Sequence, residues 1–227
     1  MYLPFDWTFL LLIPGMLLAI WAQSKVTSTF SKYSKIYSGR RISAQDVARN
    51  MLNAENLIDV KVNPIQGNLT DHYNPKTKDL NLSQSVYGSS SIASIGVAAH
   101  EAGHAIQHGT GYRPLVVRSF IYPVVKIGSS LSWPIFLLGL LLSMDPLLKI
   151  GILAFSFAVI FALVTLPVEF NASKRALAIL ASDNYLSEEE VRGAKKVLDA
   201  AALTYVASAL SAILQLLRLI LLSRRRR

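Results

Sequence analysis

The chain has 227 residues, of which 52% are hydrophobic and only 16% are charged, and it contains no cysteine. Soluble domains carry about 25% charged residues, so this composition excludes an ordinary soluble globule and a wholly disordered chain. The lack of cysteine excludes disulfides, thiolate metal sites and a cysteine nucleophile. In so apolar a chain, the net charge of +9 favours an anionic lipid surface over nucleic acid as the partner.

Four apolar stretches are each long enough to cross a bilayer, for which roughly 20 residues are needed. The first runs from Leu3 to Ala22, with Trp7 and Trp21 near its ends, as expected of interfacial aromatic residues. No basic residue precedes it and no clean small-x-small cleavage site follows it, so we interpret it as a retained anchor and not as a signal peptide. The other three are predicted at Phe120–Met144, Leu147–Val168 and Ala200–Leu222.

Two polar stretches separate these apolar segments. Residues 23–118 hold most of the polar mass, and residues 169–199 form a shorter segment. If every apolar segment crosses the bilayer, both polar stretches lie on the same side of it. The predicted boundaries of the apolar parts are residues 1–22, 119–145 and 146–168 for membrane helices 1 to 3, and residues 200–227 for a fourth membrane or membrane-associated helix with a basic tail.

The longer polar stretch predicts mixed helix and strand structure. Ser43 is followed by an apolar stripe, which is typical of an N-cap and an amphipathic helix. Serines at 89–91 offer N-caps for a later helix over Ile92–His108 that stops at Gly109. Between these helices we predict a strand over Leu57–Val62, a turn at Asn63-Pro64, and a hairpin of Leu69–Tyr73 with Asp79–Leu82 around a five-residue loop.

One motif in the predicted helix Ile92–His108 is typical of a catalytic metal site. His100, Glu101 and His104 form an H-E-x-x-H motif. Residues four apart lie on nearly the same face of an α-helix, so both imidazoles can bind one Zn²⁺ ion. Glu101 lies beside them, where a carboxylate can take a proton from a water activated by the metal. The cysteine-free composition agrees with a site of histidine and carboxylate ligands.

A catalytic zinc site needs a third protein ligand and an open position for water. The spacing leaves three candidates. His108 continues the i, i+4 series but lies about 6 Å along the helix from His104, which suits a flanking residue better than a third ligand. His72 lies in the predicted hairpin. Glu169 follows the third apolar segment, where a carboxylate is costly unless paired or exposed, and the predicted topology returns it to the side that bears the motif.

Three segments resemble the YugP-like neutral zinc metallopeptidases, which are bacterial multi-pass membrane proteins. The segments are Gly67–Ser83, Ile92–His108 and Leu166–Ala176, and the resemblance covers most of the chain in order and spacing. At greater distance the chain is similar to the CAAX-type and heat-shock-type membrane metalloproteases. Their third zinc ligand is a glutamate in an E-x-x-A-D pattern, so the resemblance implies Glu169 as the third ligand.

The resemblance also implies a fold. We expect a mainly α, multi-pass helical membrane protein with a zincin-like metallopeptidase domain that includes a small β-hairpin. Residues 23–118 then form the metallopeptidase region with the H-E-x-x-H helix, and residues 169–199 form a second active-site segment that supplies the third zinc ligand.

Ser173 departs from the pattern of the distant families, which have Asp at this position. There the Asp is expected to brace a zinc-ligating histidine, and a shorter, neutral Ser does not supply the same charge. Either the brace comes from elsewhere, with Asn171 and Asp183 as candidates, or the ligand is tuned differently. The substrates of the distant families are therefore not carried over to this chain.

The implied function is a membrane-embedded zinc metalloendopeptidase that acts on a peptide or membrane-protein substrate. His100, His104 and Glu169 hold Zn²⁺, and Glu101 is the general base for the attacking water. The strand around Leu69–Tyr73 is a candidate for pairing with an extended substrate backbone. Candidate stabilisers of the developing oxyanion are His72, Tyr73 and Arg175.

The alternative is a non-catalytic membrane adaptor or assembly factor, in which His100 and His104 bind a structural metal or none. The two functions differ in an observable property, because only the enzyme requires about one zinc ion per chain. No nucleic-acid partner is expected, because the basic residues flank apolar segments and do not form a basic patch with aromatic residues. The oligomeric state is left open.

Charge near the membrane ends bears on localisation. We expect a multi-pass protein of the cell membrane, with most basic flanking residues on the side of the motif. The positive-inside rule then favours an active site that faces the cytoplasm. The run Arg224–Arg227 would have to cross the membrane in that orientation, unless the last helix does not span. Arg218 and this tail are expected to contact anionic headgroups.

Overall fold

A computed structural model describes residues 6–224, so the first residues of the first predicted span and the last three arginines lie outside the described residues. The described chain is mainly helical with one small sheet, which confirms the expected fold class. Its helices are a 3-10 helix Trp7–Leu12, α1 Ile13–Tyr33, α2 Ala44–Ala54, α3 Gln84–Tyr87, α4 Ile92–Gly109, α5 Arg113–Leu141, α6 Asp145–Ser182 and α7 Glu188–Arg224, and its strands are β1 Lys61–Ile65, β2 His72–Asn74 and β3 Asp79–Ser83.

Four helical segments among the described residues are long and apolar enough to cross a membrane. The first, third and fourth of them each extend more than ten residues beyond the predicted span. Helix α6 has 38 residues and is about 57 Å long, whereas the hydrocarbon core of a bilayer is about 30 Å thick. The sequence prediction ended this span before Glu169, but the helix continues because Ala172, Ala176 and Leu180 bury a stripe at a spacing of four residues.

The last helix is likewise longer than its apolar part. The predicted span over Ala200–Leu222 and residues 188–199 of the polar stretch before it form one continuous helix, α7. A capping box starts this helix: the backbone N–H of Glu190 donates to Ser187 Oγ at 3.4 Å, and the Ser187 N–H donates to Glu190 Oε2 at 2.7 Å. The four membrane candidates are Trp7–Tyr33, Arg113–Leu141, Asp145–Ser182 and Glu188–Arg224.

The described chain divides into two compact units. One of them comprises residues 6–22, 117–166 and 204–224, and its core is built around Phe136, Leu148 and Leu219. Arg218 is 5% exposed in this unit. Its guanidinium donates to Asp6 Oδ2 at 2.9 Å and to Thr8 Oγ1 at 3.2 Å, so the expectation that Arg218 contacts lipid headgroups is wrong.

The second unit comprises residues 23–116 and 167–203 and contains all predicted site residues. Its core packs α2 and α4 against β3 and the adjoining part of α6. Ser43 caps α2 by accepting from the Asp46 N–H, and Ser91 caps α4 by accepting from the Ser94 N–H. These caps fix where both helices begin.

The small sheet of this unit has the strand order β1-β3-β2. The predicted hairpin is confirmed as β2 and β3, which pair antiparallel with Tyr73 opposite Leu80. Strand β1 begins four residues later than predicted, pairs parallel with β3, and includes Pro64. The predicted turn at Asn63-Pro64 is therefore wrong, and a proline is tolerated there because β1 is an edge strand.

Candidate metal centre

The two histidines of the motif lie side by side on α4. His100 and His104 are one helical turn apart, and their rings meet edge to face with centroids 4.7 Å apart. The ring of His104 is buried and that of His100 is half-buried. Each Nδ1 atom faces a neutral side chain, so both Nε2 atoms remain for a shared ligand.

Glu169 completes the group from α6. Its carboxylate is almost fully buried, with 2% of the residue exposed, although it lies 69 positions from His100 in the chain. Oxygen Oε2 lies 3.3 Å from His100 Nε2 and 3.4 Å from His104 Nε2. Of the three candidate third ligands, Glu169 is the one that the fold brings to both histidines.

The spacing of these atoms fits a tetrahedral metal ion. Two ligand atoms that each lie 2.0–2.1 Å from such an ion are about 3.3 Å apart, which matches the two distances from Glu169 Oε2 to the imidazole nitrogens. The ligand atoms of His100, His104 and Glu169 all lie within 4.8 Å of one another. Two imidazoles and one carboxylate form a donor set that zinc accepts, with a fourth position left for water.

Glycine at position 103 allows α4 to approach α6. A Cβ built on Gly103 would lie 2.7 Å from the carbonyl oxygen of Ala172, which is closer than real Cβ contacts. Ala172 lies three residues after Glu169 in the same helix. The helices therefore come closest beside the metal-binding group, and only glycine fits on α4 at this point.

Ser173 itself braces His100. Its hydroxyl lies 3.0 Å from His100 Nδ1, so the position that carries Asp in the distant families still contacts the histidine here. Asp183, which sequence reasoning named as a substitute, accepts from the neighbouring Ser182 hydroxyl at 2.8 Å. Asn171, the other named substitute, connects to the second histidine through Gln107.

Gln107 is the residue that sequence reasoning missed. It is fully buried, and its Oε1 lies 3.0 Å from His104 Nδ1. Its amide nitrogen donates to the carbonyl oxygen of Val168 at 2.8 Å and to Asn171 Oδ1 at 3.0 Å. The signal was present in the sequence, because Gln107 follows His104 by three residues and so lies on the same helix face.

Comparison with known proteins identifies the family. The family described as "Putative neutral zinc metallopeptidase" matches residues 8–224. The chain belongs to this family. It is also 47% identical over 212 residues to "Putative membrane protease YugP" of Bacillus subtilis (strain 168), in a match that covers 93% of this chain and 94% of that protein. No solved structure matches the chain.

Membership in this metallopeptidase family confirms the resemblance predicted from the sequence. The family and the site also indicate the same cofactor. The family is named for zinc, and zinc accepts the two imidazoles and one carboxylate of this group. A membrane protease as relative and four helices apolar enough to span a bilayer together support a location in the membrane.

Glu101 of the metallopeptidase lies next to the metal-binding group. It is half-buried on α4. Burial lowers the pKa of His104, but the hydrogen bond with Glu169 and the negative charge of Glu101 outweigh this effect and raise that pKa. Glu101 directly follows His100 in α4, so it belongs to the helical turn that carries the two histidines. A bound metal takes the place of a proton on a ligating histidine.

The remaining predicted residues of the metallopeptidase lie outside this group. The hydroxyl of Tyr73 on β2 lies 2.9 Å from His108 Nδ1, and burial, with the charges of Asp59 and Asp79, raises the pKa of Tyr73 to about 12. His72 is exposed, and its Nε2 lies 3.1 Å from the side-chain nitrogen of Asn81. Arg175 donates from Nε to Asn171 Oδ1 at 2.9 Å.

Proposed function

We propose that this member of the family is a membrane-embedded zinc metalloendopeptidase in which His100, His104 and Glu169 hold Zn²⁺ and Glu101 is the general base. The observation that carries the proposal is the shared position of Glu169 Oε2, at 3.3 Å and 3.4 Å from the two Nε2 atoms. Those distances match the edge of a zinc tetrahedron of about 3.3 Å. The family, which is named for zinc metallopeptidases, supports the same reading.

In the proposed reaction, zinc held by these residues would act as a Lewis acid that lowers the pKa of water and polarises the peptide carbonyl. Glu101 accepts a proton from the attacking water and then delivers it to the nitrogen of the leaving amine. Glu169 and the two histidines keep the ligand geometry through the reaction, because their side chains are held by α4 and α6. Ser173 and Gln107 hold the two rings at Nδ1.

The substrate of the proposed enzyme is an extended segment of a peptide or membrane protein. Strand β2 is an edge strand that pairs with β3 on one side, and Tyr73 on β2 contacts His108, one helical turn beyond His104. An edge strand beside the metal-binding helix suits strand addition by the substrate backbone. His72 is too exposed to make a preorganised oxyanion site, which leaves Tyr73 and Arg175 as the candidates named from sequence.

The proposal is tested on the full chain purified in detergent. We expect about one zinc ion per chain by mass spectrometry, with His100→Ala and Glu169→Ala each losing the metal. Glu101→Gln should keep the zinc and lose about 10²- to 10⁴-fold in the cleavage rate of a fluorogenic peptide library. Glu55→Gln makes the same chemical change at an exposed position after α2 and should leave both properties unchanged.

The outcomes separate the enzyme from its alternative. Zinc retained in Glu101→Gln with full activity would show that another group is the base. Wild-type protein that carries no zinc, or that carries zinc without cleaving any peptide under conditions where it is folded, would favour the non-catalytic adaptor or assembly factor. Loss of zinc in only one of the two ligand variants would overturn the proposed ligand set.

A further inference from the structure

A buried amide connects the metal-binding helix to α6. Gln107 has no exposed surface, and both N–H groups of its amide nitrogen donate hydrogen bonds. The two N–H groups of Nε2 donate to the Val168 carbonyl oxygen and to Asn171 Oδ1. The remaining atom, Oε1, lies 3.0 Å from His104 Nδ1. An amide with three partners at this burial holds a single orientation, because leaving any of them unpaired costs about 1–3 kcal/mol.

The direction of these hydrogen bonds is set by two groups, one of which can only donate and the other only accept. A guanidinium only donates, so the atom of Asn171 that lies 2.9 Å from Arg175 Nε is an oxygen. A backbone carbonyl only accepts, so the atom of Gln107 that faces Val168 is the amide nitrogen. Flipping the Gln107 amide would place Oε1 against two acceptors. Its oxygen must therefore face His104, which requires a proton on Nδ1.

We propose that Arg175, Asn171 and Gln107 form a hydrogen-bond relay of fixed polarity that holds the proton of His104 on Nδ1 and presents Nε2 to the metal. This inference rests on the proposed zinc site. Gln107 is the positioning residue of the relay, since it contacts the ligand ring and does not itself reach the metal-binding atoms. Arg175 sets the direction from the far end, one helical turn after Asn171 on α6.

The second histidine lacks such a directional partner. His100 Nδ1 faces the Ser173 hydroxyl at 3.0 Å, and a hydroxyl either donates or accepts. Ser173 therefore holds the ring in place without selecting its tautomer. The two ligands are braced unequally, and neither brace adds a negative charge, in contrast to the carboxylate braces that are common at zinc sites.

The tautomer of His104 is measured directly in the wild-type protein. With ¹⁵N-labelled histidine in detergent-solubilised full chain, the His104 signals are assigned by their loss in His104→Asn. We expect Nδ1 to stay in the protonated range both after chelation and with zinc added, while Nε2 changes on zinc addition. An unprotonated Nδ1 in either state, including loss of its proton on zinc addition, would overturn the relay. This measurement needs no variant of Gln107 and so does not depend on its folding.

Variants test whether the relay supports metal binding. Gln107→Met preserves volume but removes all three bonds, and it should weaken zinc affinity by about 10- to 100-fold in a chelator competition. Asn171→Asp keeps an oxygen in front of both Arg175 and Gln107, so it should lose much less zinc affinity than Gln107→Met. Gln45→Met is the matched control, because Gln45 lies on α2 and its Oε1 has no partner among the described residues.

The results distinguish this inference from the proposed function. Unchanged zinc affinity in Gln107→Met, or an equal loss in Asn171→Asp and Gln107→Met, would overturn the relay while the zinc peptidase stands. A lower melting temperature of the metal-free Gln107→Met protein with unchanged zinc affinity would show a merely structural role. Wild-type protein that binds no zinc would overturn the proposed function, and the ¹⁵N signals of His104 would still decide the tautomer.

Discussion

At the scale of single residues, the candidate site depends on side chains that are small or neutral as much as on the ligands. The close approach of α4 to α6 occurs at Gly103, where a Cβ would lie 2.7 Å from the Ala172 carbonyl oxygen. Because Glu169 and Ala172 lie on the same helix, the position of the carboxylate relative to His104 depends on this approach. The H-E-x-x-H motif allows any residue at position 103, whereas the packing of α4 against α6 allows only glycine there.

Gly103→Ala is therefore expected to weaken both the fold and the metal site. The extra methyl group forces the two helices apart, and overpacking of this kind costs about 1–3 kcal/mol. The melting temperature of the metal-free protein and its zinc affinity should both fall. Gly88→Ala is the control, since nothing lies within 4 Å of the added Cβ. Zinc affinity that stays at the wild-type value in Gly103→Ala would contradict the role given to this contact.

At the scale of elements, an ion pair joins the 3-10 helix at the start of the described chain to the end of α7. Arg218 donates to Asp6 and Thr8, and its guanidinium lies 3.7 Å from the centre of the Phe9 ring. Arginine inside an apolar helix is costly unless it is paired. The bonds to Asp6 and Thr8, together with the aromatic ring, explain why α7 tolerates a cation at a buried position.

Asp6→Asn is expected to destabilise the protein by leaving this cation unpaired. The breaking of a fully buried pair costs about 3–5 kcal/mol; since Asp6 keeps 23% of its side chain exposed, we expect about 1–3 kcal/mol here. Unfolding in mixed micelles measures the change, and Arg218→Met combined with Asp6→Asn should recover most of it. Asp59→Asn, at the exposed pair with Lys78, should have little effect. Equal stability of Asp6→Asn and wild type would contradict the pairing.

At the scale of the whole molecule, the order of the helices along the chain and the distribution of charge predict an orientation. If all four candidate helices cross the bilayer, residues 34–112 lie on one side and residues 142–144 on the other. Residues 169–199 lie on the same side as residues 34–112, and these two stretches with their flanks carry most of the basic residues near membrane ends. The positive-inside rule therefore predicts that residues 34–112, and with them the proposed active site, face the cytoplasm.

The absence of cysteine makes this orientation simple to measure. Single cysteines at Met144 and at Lys76 are both at exposed positions, and a membrane-impermeant maleimide reports which one is accessible in intact cells. We expect Met144→Cys to label directly and Lys76→Cys to label only after permeabilisation, with the unsubstituted chain as an unlabelled control. The reverse pattern would place the proposed active site outside the cell.

Much of this protein could be predicted from the sequence because the deciding forces act locally. The run of apolar residues predicts membrane helices, and the four-residue spacing of His100 and His104 predicts a shared helix face, since backbone hydrogen bonding sets the period of the helix. The hairpin of β2 and β3 was predictable from its turn residues for the same reason. Local patterns were less reliable at the ends of elements, as in α6, where a buried stripe continues past Glu169.

Only the tertiary structure decided which distant residues meet. Glu169 was one of three candidates by spacing, and it reaches the histidines because Gly103 lets α6 approach α4. The contact of Ser173 with His100 joins two helices, and the contact of Gln107 with His104 uses a side chain outside the H-E-x-x-H motif. The sequence by itself determined the membrane segments, the family and the motif, which depend on composition and short-range periodicity. The packing of α4 against α6 determined the carboxylate partner, the Ser173 brace and, through the partners that orient Gln107, the directed proton of His104, because these depend on contacts between segments far apart in the chain.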